Sequence, residues 1–120
     1  MDEQGKPYDI KERTFVFACN VILSFPNGQL DAASLKMWSQ LIASSTSTGA
    51  HLEEAAAGGS RAQFLSLTRG GLREMRESNY WLRLIVATRR AGHERVTDLV
   101  SESRELVAIL TTIVKNARRD

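Results

Sequence analysis

The chain of 120 residues holds one cysteine, two prolines and only 7% aromatic residues. With the single thiol of Cys19 it forms no internal disulfide and no cysteine-based zinc or iron–sulfur site. So few prolines and aromatics disfavour a sandwich or barrel built from many turns. A long apolar run is missing too. The longest nearly apolar stretch, Phe15 to Phe25, is broken by Asn20 and Ser24 and falls short of the ~18–20 residues of a membrane span. The opening residues, Met1 to Asp9, are acidic and polar, unlike a secretory leader. The expectation is therefore a cytoplasmic protein with no membrane contact. What is present is ordinary globular material, 42% hydrophobic and 25% charged. The length fits one domain over residues 1–120, with 1–8 as a flexible tail ahead of the first helix.

Charge is uneven along the chain. Residues 1–60 carry 4 basic and 7 acidic side chains, residues 61–95 carry 8 and 3, and residues 96–120 carry 4 and 4. The net charge of +2 thus hides a basic middle, and 12 of the 16 basic residues are arginine. Arginine suits bidentate contact with carboxylate or phosphate, so the bias fits either a subunit interface or nucleic acid.

Apolar spacing gives four helices. Asp9 with Glu12 reads as a capping box, after which Phe15, Ala18, Ile22 and Phe25 share one helical face up to the break at Pro26-Asn27-Gly28. Asp31 caps a second helix with Leu35, Trp38, Leu41 and Ile42 on its expected buried face. The stretch Ser44–Ala50 has low helix propensity, yet small residues let helices approach closely and the pattern resumes at Leu52. One long helix ending at Gly58-Gly59 is expected. Ser60 with Gln63 opens a third helix running to about Arg90, with Phe64, Leu67, Leu72, Met75, Leu82, Ile85 and Val86 on a broad face. Its later half, Tyr80 to Ala87, is apolar nearly all round, which calls for cover beyond a lone bundle. After a turn at Ala91-Gly92-His93, the last helix carries Val96, Leu99, Val100, Leu106, Val107, Leu110, Ile113, Val114 and Ala117, and Ile109 lies off that stripe. Short links make the simplest topology an all-α, antiparallel up-down-up-down four-helix bundle.

Catalytic and metal constellations are thin. His51 and Glu54 share a helical face, but a bundle carboxylate site uses Glu-x-x-His on two helices, and the other histidine, His93, falls in a turn. One of the Glu53-Glu54 pair is expected to meet an arginine of a neighbouring helix. Cys19 sits among apolar residues, as an inert buried thiol does. The serines of 44–48 lack a base with an orienting carboxylate. Gly70-Gly71 lies inside a helical pattern and marks close packing or a local bend. No enzyme, cofactor or metal is expected.

Arginines are the sharpest feature. Arg69, Arg76, Arg83 and Arg90 recur every seven residues with Arg73 beside them, while Glu74 and Glu77 hold the other flank. Either they pair with acids of a neighbouring subunit, as charged positions beside a coiled-coil seam do, or they attract phosphate. The adjacent acids favour intersubunit pairing.

With these segments in view, the chain resembles the small four-helix-bundle proteins encoded in intervening sequences of bacterial 23S ribosomal RNA genes. YDIKERTFVFA at Tyr8–Ala18, STSTGAHLEEA at Ser45–Ala55, SRAQFL at Ser60–Leu65, LREMRESNYWLRL at Leu72–Leu84 and LVAILTTIVKNAR at Leu106–Arg118 carry the likeness. The resemblance implies an antiparallel bundle assembled as a ring-like homopentamer. The same broad family includes accessory proteins of diversity-generating retroelements, strongly basic pentamers that bind nucleic acid and a reverse transcriptase. The expected role is a non-catalytic oligomeric scaffold or adaptor. Tyr80, Trp81 and Leu84 are its expected interface anchors, with Arg76 and Arg83 pairing with Glu53, Glu54 or Glu77. The alternative is an accessory protein that binds ribosomal or other structured RNA through Arg69, Arg73, Arg76, Arg83 and Arg90.

Overall fold

Three short polar side chains start three of the helices. Asp9 Oδ1 accepts from the Lys11 amide (2.8 Å), Asp31 Oδ1 from the Ser34 amide (2.8 Å) and Ser60 Oγ from the Gln63 amide (3.1 Å), each satisfying a donor the first turn leaves open. The computed structural model describes residues 9–90 and 93–119. The tail 1–8 and the Ala91-Gly92 part of the expected turn lie outside the described residues. Among the described residues there are four helices: α1 (Ile10–Leu23), α2 (Ala32–Ala56), α3 (Arg61–Ala87) and α4 (His93–Arg119). His93 opens α4 rather than completing a turn.

Each helix packs on the next in sequence and α1 also meets α4, while among the described residues the backbones of the diagonal pairs α1/α3 and α2/α4 stay more than 8 Å apart. That is the antiparallel four-helix bundle the periodicity implied. The long α2 runs unbroken through Ser44–Ala50 because its small residues face α3 across a close seam. Ser44 Oγ and Ser78 Oγ are hydrogen-bonded at 2.8 Å, and Thr48 Oγ1 donates to the Gly71 carbonyl at 3.3 Å. A Cβ on Gly71 would sit 3.3 Å from Leu52 Cδ2, and one on Gly70 3.0 Å from His51 Cδ2. Tertiary packing here overrides weak local propensity, and the glycine pair marks close approach.

Phe17, Val21, Met37, Trp38, Leu41, Leu72, Met75, Leu82, Ile85, Leu99, Leu106 and Leu110 make the core. Three expectations shift. The α1 stripe of Phe15 and Ile22 turns outward, because Arg13, Thr14, Phe17 and Val21 form the buried face instead. Leu35 also lies outside the core of α2. Trp81, Leu84 and Val86 are half-buried against the chain's own core, so one protomer covers most of the apolar circumference of α3.

Past its cap at Thr88, α3 is ended by Arg89, whose φ of 56° lies in the left-handed region usually left to glycine. This turn carries Arg90 back to Asp31 and Ser34. The Ser34 backbone amide, the Ser34 side chain and then Arg90 hold the Asp31 carboxyl down at about 2. A depressed carboxyl contributes stability above its unfolded value near 3.8, and that contribution is lost as pH falls through about 2. Asp31→Asn keeps a cap acceptor but cannot titrate, so its melting temperature should fall less steeply than the wild type's between about pH 4 and about pH 2. Equal slopes in calorimetry would show that Asp31 carries none of the acid sensitivity.

Candidate functional surfaces

The outward side of α3 gathers four of the expected arginines. Arg69, Arg76 and Arg83 fall within a narrow arc of the helix, with Arg73 and Tyr80 beside them, and all five are exposed. Arg83 Nε donates to Asn79 Oδ1 at 2.9 Å, and its guanidinium stands 5.9 Å from the centre of the Tyr80 ring. Asn79 in turn donates to Ser103 Oγ of α4 at 2.8 Å, fixing this corner of the bundle. Tyr80 meets the edge of Trp81 with ring centres 5.3 Å apart. Arg69, Arg73 and Arg76 take no hydrogen bond or ion pair from any described residue.

Arg90 departs from the stripe. The sequence places it one heptad beyond Arg83, but α3 has already ended at Ala87, and Arg90 is committed to Asp31. It is a fastening between the α3 terminus and the start of α2, and the proposed phosphate-contact set loses it.

Among the described residues none of the expected acids forms an ion pair with these arginines within one chain. Glu53 and Glu54 are exposed near the end of α2; the adjacent His51 and Leu52 lie level with Gly70 and Gly71 of α3, so Arg76 stands about 12 Å further along that helix from the two glutamates at ~1.5 Å per residue. Neither glutamate meets an arginine of a neighbouring helix, contrary to the sequence expectation, and the exposed Glu77 is likewise without an ion pair among the described residues. His51 Nδ1 lies 2.9 Å from the Ser47 carbonyl, and no group of three or more metal-ligating side chains occurs among the described residues. Cys19 is half-exposed rather than buried.

The α1/α4 seam was not foreseen. Arg13, only 7% exposed, reaches across from α1. Its Nε and Nη2 donate to the two carboxylate oxygens of Glu102 at 2.8 and 3.0 Å, and Nη2 also donates to Glu105 at 2.9 Å. Its hydrogen bonds to these carboxylates raise the Arg13 pKa further, so the guanidinium is permanently charged. Above this clamp the two helices part into a cleft of about 540 Å³, floored by Phe17 and Leu99 and walled by Val16, Asn20, Asp98 and Glu102. The volume is within the range of small-ligand pockets.

No family model and no curated protein matches this chain. Among solved structures, four chains match. One is a crystal structure of a protein of unknown function from the S23 ribosomal protein family of Bacteroides thetaiotaomicron. It aligns with a TM-score of 0.77 and 27% identity over 89% of this chain and 99% of that one. The likeness spans nearly the whole of both chains, so all four helices share one arrangement.

A second apolar surface completes the inventory. Phe15 is 60% exposed, Ile22 50% and Leu23 69% along α1, and Leu35, in the first turn of α2 next to the end of α1, is 53% exposed. Tyr80, 49% exposed on α3, lies apart from this patch. Among the described residues no helix is long and apolar enough to cross a membrane. The periodicity of Phe15 and Ile22 was legible in the sequence; which way it faced was decided by the burial of Arg13, whose partners lie 89 and 92 residues away.

Proposed function

We propose that this chain is a non-catalytic helical-bundle scaffold that self-associates into a closed homo-oligomer, the pentamer implied by its resemblance to the intervening-sequence proteins. One observation carries the reading: α1 is apolar on two opposite sides, and a bundle can bury only one of them. Phe17 and Val21 occupy the core, which leaves Phe15, Ile22 and Leu23 outside. Exposed apolar residues grouped on one element mark an interaction surface rather than the scattered singles of an ordinary exterior. Trp81 and Leu84 belong largely to the protomer's own core, so Tyr80 is the remaining anchor of the expected α3 trio.

Light scattering at micromolar concentration tests this. The wild type should have a mass several times the 13.4 kDa of one chain, five times for the pentamer. Phe15→Glu with Ile22→Glu should return the mass to that of one chain while circular dichroism stays helical. A wild-type protein that runs as a monomer removes the reading.

A second reading is favoured by the unpaired Arg69, Arg73 and Arg76 with Tyr80 between Arg76 and Arg83. Guanidinium groups and an exposed ring in one row suit phosphate contact and base stacking. The similar Bacteroides protein is assigned to a ribosomal protein family, which agrees with an RNA partner. Its test is the triple variant Arg69→Ser, Arg73→Ser and Arg76→Ser, which should weaken binding to a structured RNA at low salt; unchanged affinity, or no binding by the wild type, removes this second reading.

A further inference from the structure

We propose that the outward apolar stripe of α1 in one copy packs, parallel and at equal height, against the Tyr80–Leu84–Ala87 stripe of α3 in the next copy. This pairing rests on the self-association reading and supplies the second surface that reading needs. A cyclic ring of five has no two-fold axis between neighbours, so the α1 stripe cannot meet itself and must meet a different surface of the next chain. Among the described residues, the exposed large apolar side chains outside α1 and its neighbour Leu35 are Phe64 and Tyr80.

Height decides between them. Copies standing upright in a ring are related by rotation alone, so surfaces that meet lie level. Arg95, in the first turn of α4, donates to the Leu23 carbonyl at the end of α1, and Arg90, just past α3, bonds Asp31 at the start of α2. Residues 24–31 link α1 to α2, so α1 and α3 finish at the same end of the bundle. Phe15 lies eight residues before Leu23, and Tyr80 eight before Thr88, about 12 Å in each case at ~1.5 Å per residue. Phe64 lies 16 residues before Tyr80, about 24 Å further down the bundle and out of reach.

The two stripes match in pattern. On α1, Phe15, Cys19 and Ile22 recur at steps of four and three, on the side away from the buried Phe17 and Val21. On α3, Tyr80, Leu84 and Ala87 recur at the same steps, the half-buried Leu84 lying between two exposed neighbours. One turn before its aromatic, α1 carries Lys11 and Glu12 on opposite flanks of the stripe, and α3 carries Arg76 and Glu77 in the same order. None of these four side chains has an ion pair among the described residues. The two helices run in the same direction in this bundle. Laid face to face, each sets its base against the other's acid, as flanking charges do beside a parallel coiled-coil seam. Glu12 thus meets Arg76, and Lys11 meets Glu77. Within one chain the backbones of α1 and α3 stay more than 8 Å apart and their stripes face outward from opposite corners, so only a second copy can make the junction.

The test uses two variants of the full chain, both altered only at exposed positions. Phe15→Glu with Ile22→Glu spoils the α1 face, and Tyr80→Glu with Ala87→Lys spoils the α3 face. Each alone should sediment as a monomer with helical circular dichroism. Mixed in equal amounts they keep one good junction between them, and a 1:1 complex of twice the 13.4 kDa chain mass should appear and grow no further. An assembly of any size from the Tyr80 variant alone would overturn this pairing and leave self-association standing, as would two monomers that ignore each other on mixing. A monomeric wild type would remove the pairing and the parent reading together. A charge exchange checks the same junction without touching either apolar stripe. Glu12→Arg alone and Arg76→Glu alone should each raise the concentration needed for assembly about tenfold, and both together in one chain should restore it. A double variant no better than either single one would overturn the pairing.

Discussion

Replacing Arg13 by alanine should lower the unfolding free energy by about 3 kcal/mol, the low end of what breaking a buried ion pair from one side costs. Glu102, its side chain only 16% exposed, is left without the guanidinium that bridges both its oxygens. Glu105, half in water, can recover much of its hydration, which keeps the cost near the lower bound. Against a usual total of about 5–15 kcal/mol, this is a large fraction. The loss should also be local. α1 is the shortest helix, 14 residues against 25 to 27 for the others, and its contact with α4 is the slightest of the four neighbouring pairs. Amide exchange in Arg13→Ala should therefore accelerate in α1 before α2 and α3. Pairing Arg13→Leu with Glu102→Leu should restore most of the stability, because a hydrophobic pair of similar volume replaces charges that were costly to desolvate. Urea denaturation decides the matter: a change below about 1 kcal/mol for Arg13→Ala would mean that the clamp contributes no more than a surface pair does.

The same clamp explains where sequence reading ended. Helix number, order and caps were legible because each depends on neighbours within a few residues: Asp9, Asp31 and Ser60 act on amides two or three positions ahead. The continuity of α2 through its serines and threonines was legible only as a preference, since the seam that holds it needs Ser78 and Gly71 from another helix. The rotation of α1 was not legible. Phe15 and Ile22 repeat as well as Phe17 and Val21 do, and periodicity alone ranks neither face. An arginine four residues before Phe17, with two glutamates three apart next to Leu106, was the available signal. Its meaning depended on which helices become neighbours. Arg90 shows the reverse error, a heptad register extended past the point where a left-handed Arg89 stops the helix. The arginine face itself survives because Arg69 to Arg83 lie within α3.

Trp38 provides the other large effect. It is fully buried, stacked on Phe25 with ring centres 5.8 Å apart and planes 22° apart. Truncation to alanine should cost about 3–5 kcal/mol, from lost transfer energy and the cavity left behind. Phenylalanine should behave quite differently. The indole Nε1–H of Trp38 is buried without a hydrogen-bond acceptor among the described residues, and an unmet buried donor costs about 1–3 kcal/mol. Trp38→Phe removes that donor along with part of the ring, so the two changes oppose each other and the variant should fall within about 1 kcal/mol of the wild type. Urea melts followed by circular dichroism at unchanged m-value would measure both. A gap of at least about 2 kcal/mol between the alanine and phenylalanine variants is the expected result. If phenylalanine is as damaging as alanine, the indole's volume rather than its orphaned N–H governs this site, and the core beside α1 does not collapse around a smaller ring.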